Sequence, residues 1–147
     1  MLSLTKKTGY GLIAMTYLAR LHRERFASAR EIAEKFGVPT ALLMNVLKEL
    51  ATAGYVDSAR GAHGGYRLAR EPEQISLADL ITAVEGPIRL AQCLRDAPAV
   101  KDQVICDVVD RCPIADPVHR VQRKLSDFLK TVTLAEIVEP AEEPAHR

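Results

Sequence analysis

The stretch that decides the fold is Arg60-Gly61-Ala62-His63-Gly64-Gly65-Tyr66-Arg67-Leu68. Glycine adopts the positive φ values that a tight hairpin needs, so Gly64-Gly65 predicts a turn between two strands. We place these strands at Tyr55 to Ala59 and at Tyr66 to Ala69, directly after a helical pattern that ends at Gly54. The order of helix, strand, glycine-rich turn and strand is that of a recognition helix followed by a β-hairpin wing. The stretch therefore predicts a protein that binds DNA.

Two short helices are predicted immediately before the hairpin. The first runs from Ala29 to Phe36 and opens on a capping-box pattern, in which Ser28 is followed by Glu31. The second begins at Pro39-Thr40 and carries apolar residues at helical spacing as far as the glycine before the first strand. A tight turn that contains glycine joins the two helices. The pair therefore matches a helix-turn-helix pattern.

Three further helices flank this unit. One runs from about Lys6 to His22, and another opens on a capping pattern at Ser76 and stops at a Gly-Pro pair. The third begins with Asp116 at the N-cap and Pro117 in the first position, where both residue types are favoured. Between the last two helices, residues 88–115 show no regular period. This irregular region holds all the cysteines of the chain.

Apolar residues of the last long helix recur at alternating steps of three and four residues. Such a seam, about two heptads long, is typical of a helix that packs against a second copy. Packing against the chain's own core is the alternative interpretation. We interpret the helix as a dimerisation helix, followed from Thr133 by a short helical turn. The residues of the seam are Val118, Val121, Leu125, Phe128 and Val132.

The predicted fold class is mainly α with a small β-hairpin, a winged helix-turn-helix plus a long C-terminal dimerisation helix. Residues 1–72 are predicted to form the winged DNA-binding domain. Residues 73–115 would form a connecting helix and the cysteine-bearing loop, and residues 116–138 the dimerisation helix and C-terminal turn. Residues 139–147 are rich in Pro, Ala and charge, and we expect a flexible tail there.

Charge is distributed unevenly along the chain, although the formal net charge is only +1. Residues 1–70 carry 11 Lys and Arg against 5 Asp and Glu, whereas residues 71–147 carry 9 against 14. A basic first half favours contact with phosphates, with an unevenly charged solvated surface as the alternative. No apolar run approaches the roughly 18 residues of a membrane helix, and no secretory signal is recognisable. We therefore expect a cytoplasmic protein with no membrane partner.

The residues that would contact DNA fall into three groups. Side chains on the first turns of the recognition helix face base edges, where Asn45 would pair with adenine. The glycines let the wing approach phosphates, and an arginine of the wing would enter the minor groove. Because the recognition helix lacks arginine, we expect weak guanine readout and a contribution from DNA shape. The candidates are Thr40, Ala41, Met44, Asn45 and Lys48 on the helix, Arg60, His63, Gly64 and Arg67 on the wing, and Thr5, Lys6 and Lys7 near the N-terminus.

The chain contains three cysteines, Cys93, Cys106 and Cys112. In a protein expected to be cytosolic, this number argues against a disulfide scaffold and indicates a metal, a cluster, redox chemistry or core packing. Structural zinc normally takes four ligands, often in close CxxC pairs, and no CxxC occurs here. Thiolates are the usual protein ligands of iron–sulfur clusters. We therefore favour a cluster, with zinc, metal-free thiol redox sensing and inert packed cysteines as alternatives.

Taken together, these motifs resemble the Rrf2 family of bacterial winged-helix regulators, and in particular its iron–sulfur cluster type, over about residues 2–138. The wing at residues 60–68 and Ala83-Val84-Glu85-Gly86-Pro87 are the most specific carriers of the resemblance. The resemblance implies a homodimer that binds a palindromic operator in double-stranded DNA. It also implies a two-iron or four-iron cluster whose ligands here would be Cys93, Cys106 and Cys112.

The chain departs from the family pattern in two places. The loop between Cys93 and Cys106 is longer than in the commonest members. The position that holds a histidine ligand in one member is Ala115 here. The fourth ligand therefore stays open between Asp116, His119 and an exogenous ligand.

The sequence thus predicts a DNA-binding transcriptional regulator, expected to act as a repressor. A cluster that senses cluster supply, nitric oxide or redox state would control its operator binding. One alternative is a winged-helix regulator that is metal-free or uses zinc or thiol redox chemistry. Another is a winged-helix module that docks a partner protein. We expect no catalytic activity, because no catalytic triad, P-loop or dinucleotide-binding pattern occurs.

Overall fold

A computed structural model describes residues 4–21, 24–91 and 106–139 of the chain. Cys93 and nearly all of the predicted tail lie outside these described ranges. In chain order, the helices and strands are α1 (Lys6–Arg20), α2 (Ala29–Phe36), α3 (Thr40–Thr52), β1 (Val56–Ala59), β2 (Gly65–Leu68), α4 (Leu77–Glu85), α5 (Ala115–Thr131) and α6 (Leu134–Val138). Short 3-10 turns occupy Pro72–Gln74 and Val109–Arg111. No helix in the described part of the chain is long and apolar enough to cross a membrane.

Within the described ranges the fold is mainly helical with one two-stranded antiparallel hairpin, which confirms the predicted class of a mainly α winged helix with a small β-hairpin. Strand β1 pairs with β2 from Val56 opposite Leu68 to Ala59 opposite Gly65. Strand β1 begins one residue later than predicted, and β2 begins one residue earlier. Tyr66 also exchanges two backbone hydrogen bonds with Ala27, of 2.8 and 2.9 Å, so the hairpin is joined to the segment between α1 and α2.

The hairpin turn differs from the predicted one. Residues 60–64 connect the strands, and the positive φ values belong to Gly61 (110°) and Gly65 (137°). Gly64 lies outside the left-handed region, so the prediction of a positive φ there was wrong. It is nevertheless required, because a Cβ atom at Gly64 would lie 2.3 Å from the carbonyl oxygen of Ala59. Close backbone approach, and not conformational freedom, explains this glycine.

Local capping determines the ends of α2 and the start of α4. The Ser28 hydroxyl accepts a hydrogen bond from the Glu31 amide at 3.0 Å, and Gly37 ends α2 with a φ of 66°. The second half of the predicted capping box does not form, because the Glu31 carboxylate accepts instead from Tyr17 and Arg25. The complete box forms at α4, between Ser76 and its third-position aspartate.

The start of α5 lies earlier than predicted. The Ala115 amide donates to the Cys112 carbonyl and the Val118 amide to the Ile114 carbonyl, so helical bonding begins at Ala115. The prediction of Asp116 as N-cap and Pro117 in the first position was therefore wrong by two residues. Pro117 is tolerated because the first-turn amides of a helix have no intrahelical partner.

The end of α5 also corrects the predicted seam. The helix stops at Thr131, and Val132 has extended backbone angles. The Val132 carbonyl accepts a hydrogen bond of 2.8 Å from the Leu77 amide, so this residue joins α4 and lies outside the helical seam. The chain then enters α6, whose Leu134 is fully buried in the same core as residues of α1, α3 and α4.

Candidate nucleic-acid interface

Helix α3 exposes one face to solvent and packs an apolar face into the core. Its buried residues are Leu43, Val46, Leu47 and Leu50, which are all fully inaccessible. The five residues predicted to read bases are all exposed on the other side. They are Thr40, Ala41, Met44, Asn45 and Lys48.

Leu42 also lies on the exposed side of α3, and sequence reasoning missed it. Its side chain is 51% exposed and borders a groove shared with Lys6, Tyr10, Asn45 and Lys48. Its spacing of three residues from Asn45 was the available signal, because residues i and i+3 share a helix face. Because leucine is apolar, Leu42 was not counted among the exposed residues.

The predicted N-terminal contacts separate into different environments. Lys6 is exposed beside the groove. The Lys7 ammonium, in contrast, lies 2.7 Å from the Glu49 carboxylate of α3 and 3.0 Å from the Val84 carbonyl of α4. The Thr5 hydroxyl donates to the carboxylate of Glu85. The polar groups of Lys7 and Thr5 thus bind other groups of the protein at its surface, and Lys6 is the better placed of the three for a phosphate contact.

The Glu85 carboxylate occupies the N-terminus of α1. It accepts hydrogen bonds from the Thr5 amide at 3.2 Å and from the hydroxyls of Thr5 and Thr8. These hydrogen bonds hold the pKa of Glu85 below its ordinary value, and desolvation opposes them only in part. Because a carboxylate of the protein already sits at the positive end of the helix, this terminus offers little attraction for a DNA phosphate.

Glu85→Gln is expected to remove part of the pH dependence of stability. The lowered pKa means that the ionised carboxylate stabilises the fold above the ordinary value of 4.5. That contribution is lost as the pH falls through the lower pKa of the folded protein. Thermal melts followed by circular dichroism should therefore show a smaller loss of melting temperature below about pH 4.5 in the variant than in the wild type. Glu34→Gln on the exposed face of α2 is the control, and equal acid sensitivity of Glu85→Gln and wild type would contradict the role of Glu85.

The wing presents Arg60 and His63 at its exposed tip. Arg67 lies elsewhere, because its guanidinium stacks 4.7 Å from the centre of the Phe26 ring and its Nε lies 3.5 Å from Asp57 on the opposite strand. The structure therefore does not bring Arg67 together with the other two predicted wing contacts. Arg67 packs the hairpin against the segment after α1, which is a stabilising role.

The cysteine-bearing segment ends directly at α5. Cys106 and Cys112 are free, half-buried thiols that flank the turn Val109–Arg111. Asp116 and His119 are both exposed on α5. No group of three potential metal ligands forms within the described ranges, which do not include Cys93.

A buried glutamine of α5 binds the residues that lead into the cysteine-bearing segment. Gln122 of α5 is only 8% exposed, and its amide donates to the Ile88 carbonyl at 2.5 Å. Its carbonyl oxygen accepts from the Leu90 amide at 2.8 Å. Sequence reasoning missed Gln122, since a polar residue one position after the seam gives no signal that it is buried.

The predicted seam of α5 remains largely uncovered. Phe128 is 61% exposed and Val121 is 55% exposed, while Val118 and Leu125 are half-buried. Ile114, just before the helix, adds a further exposed apolar side chain. Exposed apolar side chains thus recur along one side of α5.

Known proteins are similar to this chain along almost its whole length. A family model described as Rrf2, an iron-dependent transcriptional regulator, matches residues 4–140. The chain is 30% identical to CymR, the global cysteine regulator of B. subtilis, with a TM-score of 0.69 and coverage of 94% of this chain and 97% of that one. It is 31% identical to IscR of T. potens, with a TM-score of 0.68 and coverage of 99% and 93%. The oxidized form of S. aureus CymR is 26% identical, with a TM-score of 0.69 and coverage of 96% and 99%.

Proposed function

This chain belongs to the Rrf2 family of transcriptional regulators, and we propose that it is a homodimeric repressor whose affinity for its operator is set by an iron–sulfur cluster. One observation supports this proposal above the others. Helix α4 packs against both α3 and α5. It therefore connects the reading face, which is the exposed face of α3 with the predicted base contacts, to the half-buried thiols before α5. A change in the cysteine segment can therefore reach the reading face.

The family supports DNA binding, and the exposed side chains suggest how it is achieved. Asn45 would pair with adenine, and Thr40 or Ala41 would contact a thymine methyl group. Lys6 and Lys48 would neutralise phosphates, and Arg60 would enter the minor groove. These roles follow from exposure and residue type on α3 and the wing.

Lys48→Ala is expected to weaken binding to all DNA sequences by a similar factor. Because one phosphate contact would be lost, the slope of log affinity against log salt should decrease by about 1. Fluorescence anisotropy with an operator selected from a random DNA library gives both quantities. Lys130→Ala removes the same charge from the exposed surface of α5, outside the predicted DNA contacts, and should leave the slope unchanged. An unchanged slope for Lys48→Ala would place Lys48 outside the DNA interface.

The uncovered seam of α5 supports a homodimer. A two-fold axis through this helix would give two reading faces related by symmetry, and such dimers bind palindromic operators. The first-choice contacts are Val121 and Phe128, because they are the most exposed apolar residues of the helix.

Phe128→Asp is expected to shift the protein from a dimer to a monomer of 16.2 kDa, because it places a charge in the apolar seam. Light scattering after size exclusion measures the mass, and operator affinity should fall with it. Arg123→Asp introduces the same charge on the opposite side of α5 and should leave the dimer intact. A variant Phe128→Asp that stays dimeric would exclude this seam as the interface.

The thiols fit an iron–sulfur cluster by their chemistry and exposure. Cys106 and Cys112 are neither packed into the core nor paired with each other, so their sulfur atoms are available as ligands. With Cys93 they supply three thiolates, and Asp116, His119 or an exogenous ligand would complete the set. Such a cluster would supply a group that reacts with nitric oxide or oxygen. The chain's own contribution would be to tie the loop to the start of α5.

A metal-free thiol switch is the second candidate. It is favoured by the similarity to CymR, which is a cysteine regulator and whose structure is also known in an oxidized form. The similarity to IscR is equally strong, so the choice depends on the cysteines themselves. The third thiol favours the cluster, since a disulfide needs only two.

The spectrum of protein purified without oxygen, combined with iron and sulfide analysis, tests the cluster. Visible charge-transfer bands with matching iron and sulfide are expected. Protein that stays colourless after anaerobic reconstitution would favour the thiol switch. A protein-docking module, the remaining alternative, would show no salt-dependent binding to DNA.

A further inference from the structure

A partly exposed polar junction connects α1, α3 and α4. Lys7 of α1 contacts Glu49 of α3 and the Val84 carbonyl of α4, and Glu85 of α4 caps α1 through Thr5 and Thr8. We infer that Lys7 and Glu85 are positioning residues that set the orientation of the recognition helix and transmit to it the state of the segment before the cysteines. This inference rests on the proposed regulation of DNA binding.

The side chains of the junction bind backbone groups at helix ends, which have no hydrogen-bond partner within their own helices. Val84 lies in the last turn of α4, where carbonyl groups lack intrahelical partners, and a cation there is favourable. Thr5 is the N-cap of α1, and a carboxylate at this end of the helix is equally favourable. Each link therefore satisfies a backbone group and also fixes the angle between two helices.

Only one of these links reaches the reading helix. Glu49 lies immediately after Lys48 in α3, its side chain is 39% exposed, and its Oε1 atom pairs with Lys7. Its other oxygen is buried and has no hydrogen-bond partner within the described residues. Because this oxygen is buried, the Glu49 carboxylate is held in place mainly by its ion pair with Lys7, and loss of Lys7 would favour a shift of Glu49 and of α3 with it.

The junction is also tied to the cysteine segment. Glu85 is followed by Gly86, whose φ of 86° marks a bend that favours glycine. Ile88 and Leu90 then bind Gln122 of α5. A displacement of residues 88–90 would therefore move the end of α4. Glu85 and Lys7 would pass this movement on to α1 and α3.

Lys7→Met separates a positioning role from a DNA contact. The variant should bind the selected operator about tenfold more weakly while the salt slope stays that of the wild type. Lys6→Met, one residue away and exposed, should instead reduce the slope by about 1.

Lys7→Arg keeps the cation and should restore affinity. Glu49→Gln together with Lys7→Met should lose no more than Lys7→Met alone, because both act through one ion pair. A lower slope for Lys7→Met would show a direct phosphate contact, and unchanged affinity would remove the positioning role.

Hydrogen exchange tests the link to α5 without DNA. Gln122→Ala should increase amide exchange in residues 5–11 and 40–52, whereas Arg123→Ala, its exposed neighbour, should not. If exchange increases only in residues 88–90, the junction does not transmit the change and the inference fails. Because this measurement needs neither operator nor cluster, it decides the inference even if the proposed function is wrong. Glu85→Gln provides the same measurement should Gln122→Ala not fold.

Discussion

Gly65→Val is expected to abolish operator binding and to lower the free energy of unfolding by about 3 kcal/mol or more. Gly65 has a φ of 137°, which a β-branched residue adopts only with strain. A Cβ atom there would also lie 2.4 Å from the carbonyl oxygen of Ala27, inside the contact that joins the wing to the body. The hairpin would have to separate from this segment. Urea unfolding and fluorescence anisotropy with the operator measure the two effects.

Two further variants separate the causes of this effect. Gly64→Val should damage the wing only through collision with the backbone of Ala59 and Arg60, since Gly64 has no positive φ. Ala62→Val introduces the same side chain at the exposed tip and should leave stability nearly unchanged. Undiminished DNA binding by both glycine variants would show that the wing is not part of the DNA interface.

Cys106→Ala is expected to eliminate the visible absorbance and the bound iron and sulfide, and with them the regulation of DNA binding. Loss of one of three protein thiolates leaves too few ligands to hold a cluster. The fold should persist, because Cys106 is half-buried and lies outside the core. Melting temperature and iron content measured on the same sample separate the two effects.

Val108→Ala is the matched control for this prediction, since it shortens an exposed side chain of the same segment. It should retain full absorbance. Full absorbance in Cys106→Ala would exclude Cys106 from the ligand set. Loss of colour in both variants would indicate that the segment is generally destabilised.

Elements with local causes could be predicted from the sequence. Helix α2 begins after Ser28 and ends before Gly37 as predicted, because the cap and the left-handed glycine act within one turn. The same holds for the capping box at Ser76. The exposed face of α3 followed from helical periodicity, since its apolar residues had to be buried together.

Features that depend on distant partners could not be predicted in this way. Glu85 and Thr5 are 80 residues apart in sequence, and nothing near either of them reveals their contact. Lys7 was predicted to contact the DNA backbone from the start of α1, and its ion pair with Glu49, 42 residues away, could not be read from the sequence. Arg67 was assigned to the DNA interface by its place in the wing, and the Phe26 ring explains its different position. Charge alone therefore does not distinguish a DNA contact from an internal link.

The most direct test of the central proposal compares the operator affinity of cluster-loaded and cluster-free protein, measured without oxygen at one salt concentration. Iron and sulfide analysis of each sample establishes its state. The two affinities are expected to differ by at least about tenfold. Equal affinities, with the loaded state established, would contradict control of DNA binding by the cysteine segment.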